Sequence, residues 1–218
     1  MKIAHICFGL DTHTGWGRLT NEVVMRLKQR GCELEIFTEK GERSSEKNIV
    51  GRGWHAITSA LKIRPYLKGV DIVHAWEGNP YGITAYLASV GLRKKNIITA
   101  TGAYSVQPLY RASTRFLLMR AYKNASKILC ISTYIKDEID RVVPGAETEV
   151  VTLGVDFEKF RGERFVPKER FILGVGNVGR RKGYHVSIPA FGRIAQKFPE
   201  LKYYIAGTLD KNFYARSQ

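Results

Sequence analysis

Short apolar runs alternate with amphipathic stretches along the whole chain, and this alternation limits the fold more than any other feature. The runs are Lys2 to Phe8 (KIAHICF), Glu33 to Thr38 (ELEIFT), Asp71 to Trp76 (DIVHAW), Asn96 to Thr101 (NIITAT), Lys127 to Ile131 (KILCI), Glu149 to Leu153 and Phe171 to Gly176 (FILGVG). Runs of this length and apolar content read as buried strands. Between them lie helical patterns. One runs from about Leu19 to Gln29, with Leu19, Val23 and Leu27 at helical spacing and Gly31 ending it. Others cover Trp54 to Leu67, with Pro65 near the end, Tyr110 to Asn124, and Ser132 to about Arg141. Strand–helix alternation predicts an α/β fold, a parallel sheet with helices on both faces. Ligands in such sheets sit at the carboxyl ends of the strands. The GLDTHTGWGR loop, Trp76–Glu77, Thr101–Gly102 and Gly154 all fall at such ends.

Thr152 to Gly183 reads as the crossing from one domain to the next. TLGVDFEKF leaves a strand through a glycine and an acidic turn, and RGERFVPKER is a polar connector containing Pro167. FILGVG then feeds NVGRRKG, which sets Arg180, Arg181 and Lys182 beside backbone that can approach an anion closely. The expected division is residues 1–160, a linker at 161–169, and an incomplete second unit at 170–218. A strand–helix–strand unit of roughly 48 residues is too small to bury a core of its own. It is expected to be the start of a longer domain.

The 218 residues include 35 Lys+Arg against 20 Asp+Glu, a net charge of +15. Such a balance favours an anionic partner without choosing the fold. A phosphorylated small molecule and an anionic membrane surface both fit. The cations are scattered and no nucleic-acid-binding signature occurs, so nucleic acid is disfavoured. The helix at Tyr110 to Asn124 interleaves Arg111, Arg115, Arg120 and Lys123 with apolar residues, and reads as a core helix with a solvated cationic face. Cys7, Cys32 and Cys130 stand apart from one another and from any His at metal spacing, which predicts reduced thiols and no metal site. No apolar run approaches the roughly 20 residues of a membrane span.

Several segments together resemble the group 1 glycosyltransferases, glycosyltransferase family 4. VVTLGVDFEKF is similar to that family's Pro-Asn-Gly-Val-Asp hinge. FILGVGNVGRRKGYHVSIPAFGRIAQKFPELKYYIAG is similar to the opening of its second domain, with Lys182-Gly183, Ala190-Phe191 and Ile205-Ala206-Gly207 on the pattern. Asp71 and His74 match an Asp-Val-Val-His-x-His segment whose second His is Trp76 here. Glu77 and Asn79 fall on a Glu-Pro-Asn run, while Thr99 and Gly102 match Thr-x-His-Gly with Thr101 in place of the His.

The resemblance implies a GT-B fold, two Rossmann-like domains with a nucleotide-sugar held in the cleft between them. It implies a retaining transferase moving a hexose from a UDP-, GDP- or ADP-sugar to a glycan or lipid-linked acceptor, with no further cofactor. Gly15, Gly17 and Arg18, with Arg180, Arg181 and Lys182, are the expected donor-diphosphate contacts. Arg180 or Arg181 stands in for the family's Arg, which is Asn177 here. His74, Trp76, Glu77, Asn79, Thr101 and Gly102 are expected to line the acceptor side. His74 also reads as a structural histidine, and Trp76 as a surface for stacking on a sugar. Loss of the two imidazoles leaves no assigned acid or base, which suits retaining chemistry in which the donor phosphate takes the acceptor's proton. The protein is expected in the cytoplasm, with peripheral contact at the inner membrane face left open. The family's Glu-x7-Glu signature is absent, since no Glu follows Glu200, so this chain alone is expected to transfer no sugar.

Two rival readings remain at this point. One is a non-catalytic acceptor- or membrane-binding half of a two-subunit transferase. The other is an NAD-dependent oxidoreductase, because Gly174, Gly176 and Gly179 spell G-x-G-x-x-G after a strand. No acidic residue ends the next strand, as that fingerprint requires.

Overall fold

A computed structural model describes residues 1–39, 46–48, 55–162 and 169–209. It divides into two compact units, Met1–Val155 and Asp156–Gln218. Trp54, Pro167 and most of the polar connector lie outside the described residues.

The first unit is a seven-stranded parallel sheet: β1 (Lys2–Cys7), β2 (Glu33–Thr38), β3 (Glu46–Asn48), β4 (Ile72–Trp76), β5 (Lys95–Ala100), β6 (Lys127–Cys130) and β7 (Thr148–Val150). The spatial order is β3-β2-β1-β4-β5-β6-β7. β1 is the first strand of the chain yet sits inside the sheet. Strands are added to one side up to β3 and to the other side from β4. The reversal opens a crevice between the carboxyl ends of β1 and β4. The Glu39–Asn48 stretch expected to be a charged loop contributes the short edge strand β3.

Helices α1 (Gly15–Gln29), α2 (His55–Ile63), α3 (Ile83–Ser89), α4 (Ala103–Val106), α5 (Ala112–Lys123) and α6 (Thr133–Val142) follow the strands. Alternate residues of each strand face opposite layers. Ala4, Ile6, Phe37, Val73, Ala75, Ile98 and Ile128 join the larger core, with residues from α2, α3, α5 and α6. Cys7, Ile36 and Trp76 point to the other face and meet Leu10 and Val24 of the α1 layer. This two-sided burial is why most strands read as apolar runs rather than as clean alternation. Pro65 does not sit in the last turn of α2. It opens a separate 3-10 turn, Arg64–Leu67, where its missing N–H costs nothing.

The second unit contains α7 (Phe157–Phe160), β8 (Phe171–Val175), α8 (Tyr184–Ala195) and β9 (Lys202–Ala206). β8 and β9 pair in parallel, Phe171 opposite Lys202. Its buried apolar cluster among the described residues is Val178 and Tyr184, with Tyr203 and Ile205 half-buried against it. Leu173 and Val175 remain exposed. Among the described residues no helix is long and apolar enough to cross a membrane.

Candidate functional site

Three strand ends converge at the crevice of the first unit. Beyond β4 the chain reaches Glu77, which is buried and holds φ +89, ψ 153. That backbone region is nearly reserved for glycine and costs about 1–3 kcal/mol in other residues. Glu77 N–H donates to the Thr99 carbonyl at 2.8 Å, and Gly82 N–H donates to the Glu77 carbonyl at 3.0 Å. The bend turns the carboxyl group towards the end of β5. There Thr101 Oγ1 and Ser105 Oγ donate to it, and Thr101 N–H adds a longer contact at 3.3 Å. Ser105 Oγ also accepts from Gly78 N–H at 3.0 Å, and Tyr122 O–H donates to the Ser105 carbonyl at 2.7 Å. A Cβ on Gly78 would lie 2.1 Å from the Tyr122 hydroxyl, so only glycine fits there.

Next comes a single wide turn, Gly78–Gly82, with a cis Asn79–Pro80 bond. It places Asn79 and Tyr81 beside the carboxylate. Tyr81 O–H is anchored by Glu39, just beyond β2, at 2.9 Å.

The GWGR segment forms the first turn of α1 rather than a loop before it. Thr14 caps the helix by accepting from Gly17 N–H at 3.1 Å. A Cβ on Gly17 would sit 2.1 Å from the Asp11 carbonyl oxygen, whereas one on Gly15 would meet nothing within 4 Å. Gly17 thus lets the preceding loop fold back onto the helix. Trp16 packs edge-on against Tyr104 with ring centroids 5.1 Å apart, and against Phe8 at 6.5 Å.

Two recesses result. The outer one, about 50 Å³, is lined by Trp16, Glu77, Asn79, Pro80, Tyr81 and Tyr104. The inner one, about 10 Å³, runs between Phe8, Trp16, Trp76, Glu77, Tyr81 and Thr101, with Leu19 and Thr20 completing its wall. Glu77, Asn79, Trp76 and Thr101 are therefore brought together as the sequence predicts. Trp16, Tyr81, Tyr104 and Ser105 were not singled out as site residues. Their signal was an aromatic or hydroxyl residue close to a glycine at a strand end, in GWG, GNPYG and GAYS.

The remaining expected residues sit as follows in the fold. Trp76 is only 6% exposed, and its indole N–H is given to His5 Nδ1 at 3.3 Å. Its ring lies 4.7 Å from that of His74, and it reaches the inner recess as part of the wall. His74 is interior, with Nε2 paired to Thr99 Oγ1 at 2.7 Å. Burial, and then the neighbouring His5, push its pKa well below the usual value. Burial also lowers His5 to about 4. Both imidazoles are structural and neutral near pH 7. Gly102 caps α4 outside both recesses, and Gly15 and Arg18 are exposed at the start of α1.

In the second unit, Arg180–Lys182 form a short 3-10 turn closed by Gly183 at φ +79, one turn before α8 begins. The three cations therefore lie ahead of the helix start rather than on it. With Asn177, Gly179, Thr208 and Leu209 they line a recess of about 290 Å³ that contains no carboxylate among the described residues. The glycines of the G-x-G-x-x-G run serve separate ends. Gly174 makes room for Tyr184 and Tyr203, and the Gly176 carbonyl lies where a Cβ on Gly207 would stand, 2.0 Å away. A 3-10 turn rather than an α-helix opens after Gly179, and α8 starts only at Tyr184, which departs from the dinucleotide geometry. Among the described residues no cluster of His, Cys, Asp and Glu could hold a metal.

The chain is 27% identical over 189 residues to an uncharacterized glycosyltransferase of Methanocaldococcus jannaschii, covering 81% of this chain and 52% of that protein. It spans about half the length of this curated relative. Among solved structures, Anabaena HepE in complex with UDP-glucose superposes with a TM-score of 0.69 at 15% identity, over 99% of this chain and 64% of that one. The E. coli trehalose-6-phosphate protein bound with UDP-2-fluoro glucose gives 0.65 at 11% identity, over 97% and 66%. The M. jannaschii UDP-GlcNAc 2-epimerase gives 0.61 at 12%, over 99% and 67%. Likeness at these identities is one of fold, and a fold hosts several activities. The sequence family is more specific: residues 14–159 match Glycosyltransferase Family 4. Trp16, Glu77, Thr101 and Tyr104, which build the recesses at the crevice, all lie inside that match, and the chain belongs to Glycosyltransferase Family 4.

Proposed function

We propose that the first unit is the acceptor side, and the second unit the opening of the donor side, of a retaining glycosyltransferase. It moves a hexose from a nucleoside diphosphate sugar to a hydroxyl of a glycan or lipid-linked glycan. The supporting observation is the chemical split between the two units. Among the described residues, the recess of the second unit gathers Arg180, Arg181 and Lys182 with no carboxylate. Among the same described residues, the recesses of the first unit gather a pinned carboxylate and aromatic rings with no cation. The first suits a diphosphate and the second a polyol. The Anabaena and E. coli structures hold UDP-glucose and UDP-2-fluoro glucose, which favours a UDP-sugar among the candidate donors.

In this reading the bond from the anomeric carbon to the diphosphate oxygen breaks. A bond to the acceptor oxygen forms on the same face of the sugar. The acceptor's proton passes to the departing phosphate oxygen, so no protein base is needed. Arg180, Arg181 and Lys182 stabilise the charge that builds on that diphosphate. At the start of α1, Arg18 and the backbone around Gly15 and Gly17 meet a donor phosphate. The exposed Arg115, Phe116, Arg120 and Lys123 of α5 are compatible with peripheral contact to anionic lipid, which vesicle co-sedimentation tests.

The deciding experiment is a thermal-shift panel of UDP-, GDP- and ADP-glucose on the complete reading frame, followed by radiolabelled sugar transfer. At least one donor should stabilise the protein. Residues 1–218 alone should transfer none, and robust turnover by them would show that the chain is self-sufficient.

A further inference from the structure

The outer recess contradicts the charge of the molecule around it. The chain carries +15, yet among the described residues those lining this recess include Glu77 and no Lys, Arg or His. A phosphate entering it would meet a buried carboxylate with no cation beside it. Whatever the excess of cations attracts, its charged group belongs elsewhere.

What remains at the recess matches an uncharged sugar. Trp16 and Tyr104 stand at its mouth, 36% and 40% exposed, with the two rings held edge-to-face. Ring surface of this kind accepts the C–H face of a pyranose. The floor accepts hydrogen bonds. An ionised carboxylate has about four lone-pair positions, and Thr101 Oγ1, Thr101 N–H and Ser105 Oγ occupy three of them. One acceptor position is left for an incoming hydroxyl. Gly78 and Tyr122 hold Ser105, so the carboxylate is fixed before a ligand arrives. The volume is about 50 Å³, and one water takes roughly 10–15 Å³ of such space, so it admits a few hydroxyl-sized groups along one edge of a sugar rather than a whole ring.

We infer that the outer recess binds the rim of an uncharged glycosyl unit of the acceptor, with Glu77 accepting one hydroxyl and the Trp16–Tyr104 pair covering the ring face. Any phosphate of the acceptor is kept out of it. Glu77 is thereby a specificity-determining residue that selects neutral sugar over sugar phosphate. This rests on the acceptor-side reading of the first unit given above.

The test uses the 218-residue chain and saturation-transfer NMR. The probes are methyl α-D-glucopyranoside, methyl α-D-mannopyranoside, N-acetylglucosamine, glucose 6-phosphate and uridine, each up to about 10 mM, the weak-binding range expected of a single sugar. At least one uncharged sugar should give a signal, with glucose 6-phosphate tenfold weaker. Trp16→Ala, a half-exposed position that leaves the fold intact, should abolish the signal. Glu77→Gln should narrow the gap between the neutral sugar and its phosphate. The inference falls if no neutral sugar gives a signal, if the signal survives Trp16→Ala, or if uridine or the sugar phosphate is preferred. Thermal shift with UDP-glucose on the complete reading frame is read separately. Donor binding without the glycoside signal sinks this inference alone, and the glycoside signal without donor binding sinks the transferase reading alone.

Discussion

The Thr101 hydroxyl, one residue beyond β5, donates to the Glu77 carboxylate, one residue beyond β4. Two adjacent strand ends, those of β4 and β5, are thus tied together by a side-chain pair beside the crevice that the order reversal opens between β1 and β4. Replacing Glu77 by Ala strands the Thr101 and Ser105 hydroxyls without their acceptor, a loss of about 1–3 kcal/mol. Glu77→Gly strands the same groups but takes φ +89 without strain, so it should be the more stable of the two by about 1 kcal/mol. Guanidinium unfolding of the three proteins measures this. Equal midpoints for Ala and Gly would show that the bend carries no strain.

Two glycines of the first turn of α1 should differ in their tolerance of a side chain. Gly17→Ala drives a Cβ to within 2.1 Å of the backbone oxygen of Asp11, which cannot swing aside. The expected loss is about 1–3 kcal/mol, typical of overpacking. Gly15→Ala meets nothing within 4 Å and should stay within about 0.5 kcal/mol of the parent. Thermal melts of both variants decide the point, and a stable Gly17→Ala would refute the close approach.

Acid should loosen the first unit before its carboxylates titrate. His5 is fully buried, with Nε2 lacking a protein partner, and its pKa falls from the usual 6.5 to about 4. The folded pKa is the lower one, so the stabilisation is complete above pH 6.5. It drains away as pH falls towards 4, by roughly 3 kcal/mol in all. His74 acts in the same direction. The carboxylate of Glu138 is lowered from its ordinary value by its hydrogen bonds to Tyr110 and then Arg141. Urea midpoints at intervals from pH 7.5 to 4.5 should fall steadily, and a His5→Phe variant should flatten the slope. A flat profile in the parent protein would contradict the buried neutral pair.

The cationic turn should bind pyrophosphate with a strong dependence on salt. Among the described residues, no carboxylate lines the recess of Arg180, Arg181 and Lys182. Arg181→Ala and Lys182→Ala should each weaken pyrophosphate binding by about tenfold, and raising the ionic strength from 0.05 to about 0.5 M should erase most of the affinity. Isothermal titration at two salt concentrations reads both effects. Unchanged affinity in the double variant would remove this turn from the donor site.

The layered sheet was readable because its evidence is repetitive. Every strand except the short edge strand β3 (EKN) carries some apolar residue of its own, and errors at the ends of single elements leave the alternation intact. Glu77, Asn79 and Thr101 were legible for the same reason, since strand ends are where such sheets keep their ligands. The direction of a side chain was not. Trp76 and Glu77 are neighbours in sequence, but the pleat turns the indole under α1 while the bend at φ +89 turns the carboxylate to the crevice. Nothing in the letters WEGN announces that bend. The Trp16–Tyr104 contact joins residues 88 positions apart, brought together only when α1 and α4 settle over the same crevice. The start of α1 was misplaced because GWG reads as loop, whereas Thr14 caps it and Gly17 is needed inside it.

The two halves of the outer recess hang from different supports. Its rings are carried by the opening turns of α1 and α4, which stand above the sheet, while its carboxylate is clamped among strand ends and α5. Exchanging side chains at positions 16 and 104 would reshape the mouth and leave the clamp untouched. On the acceptor reading proposed above, such an architecture separates the residues that would choose the sugar from those that hold the carboxylate in place.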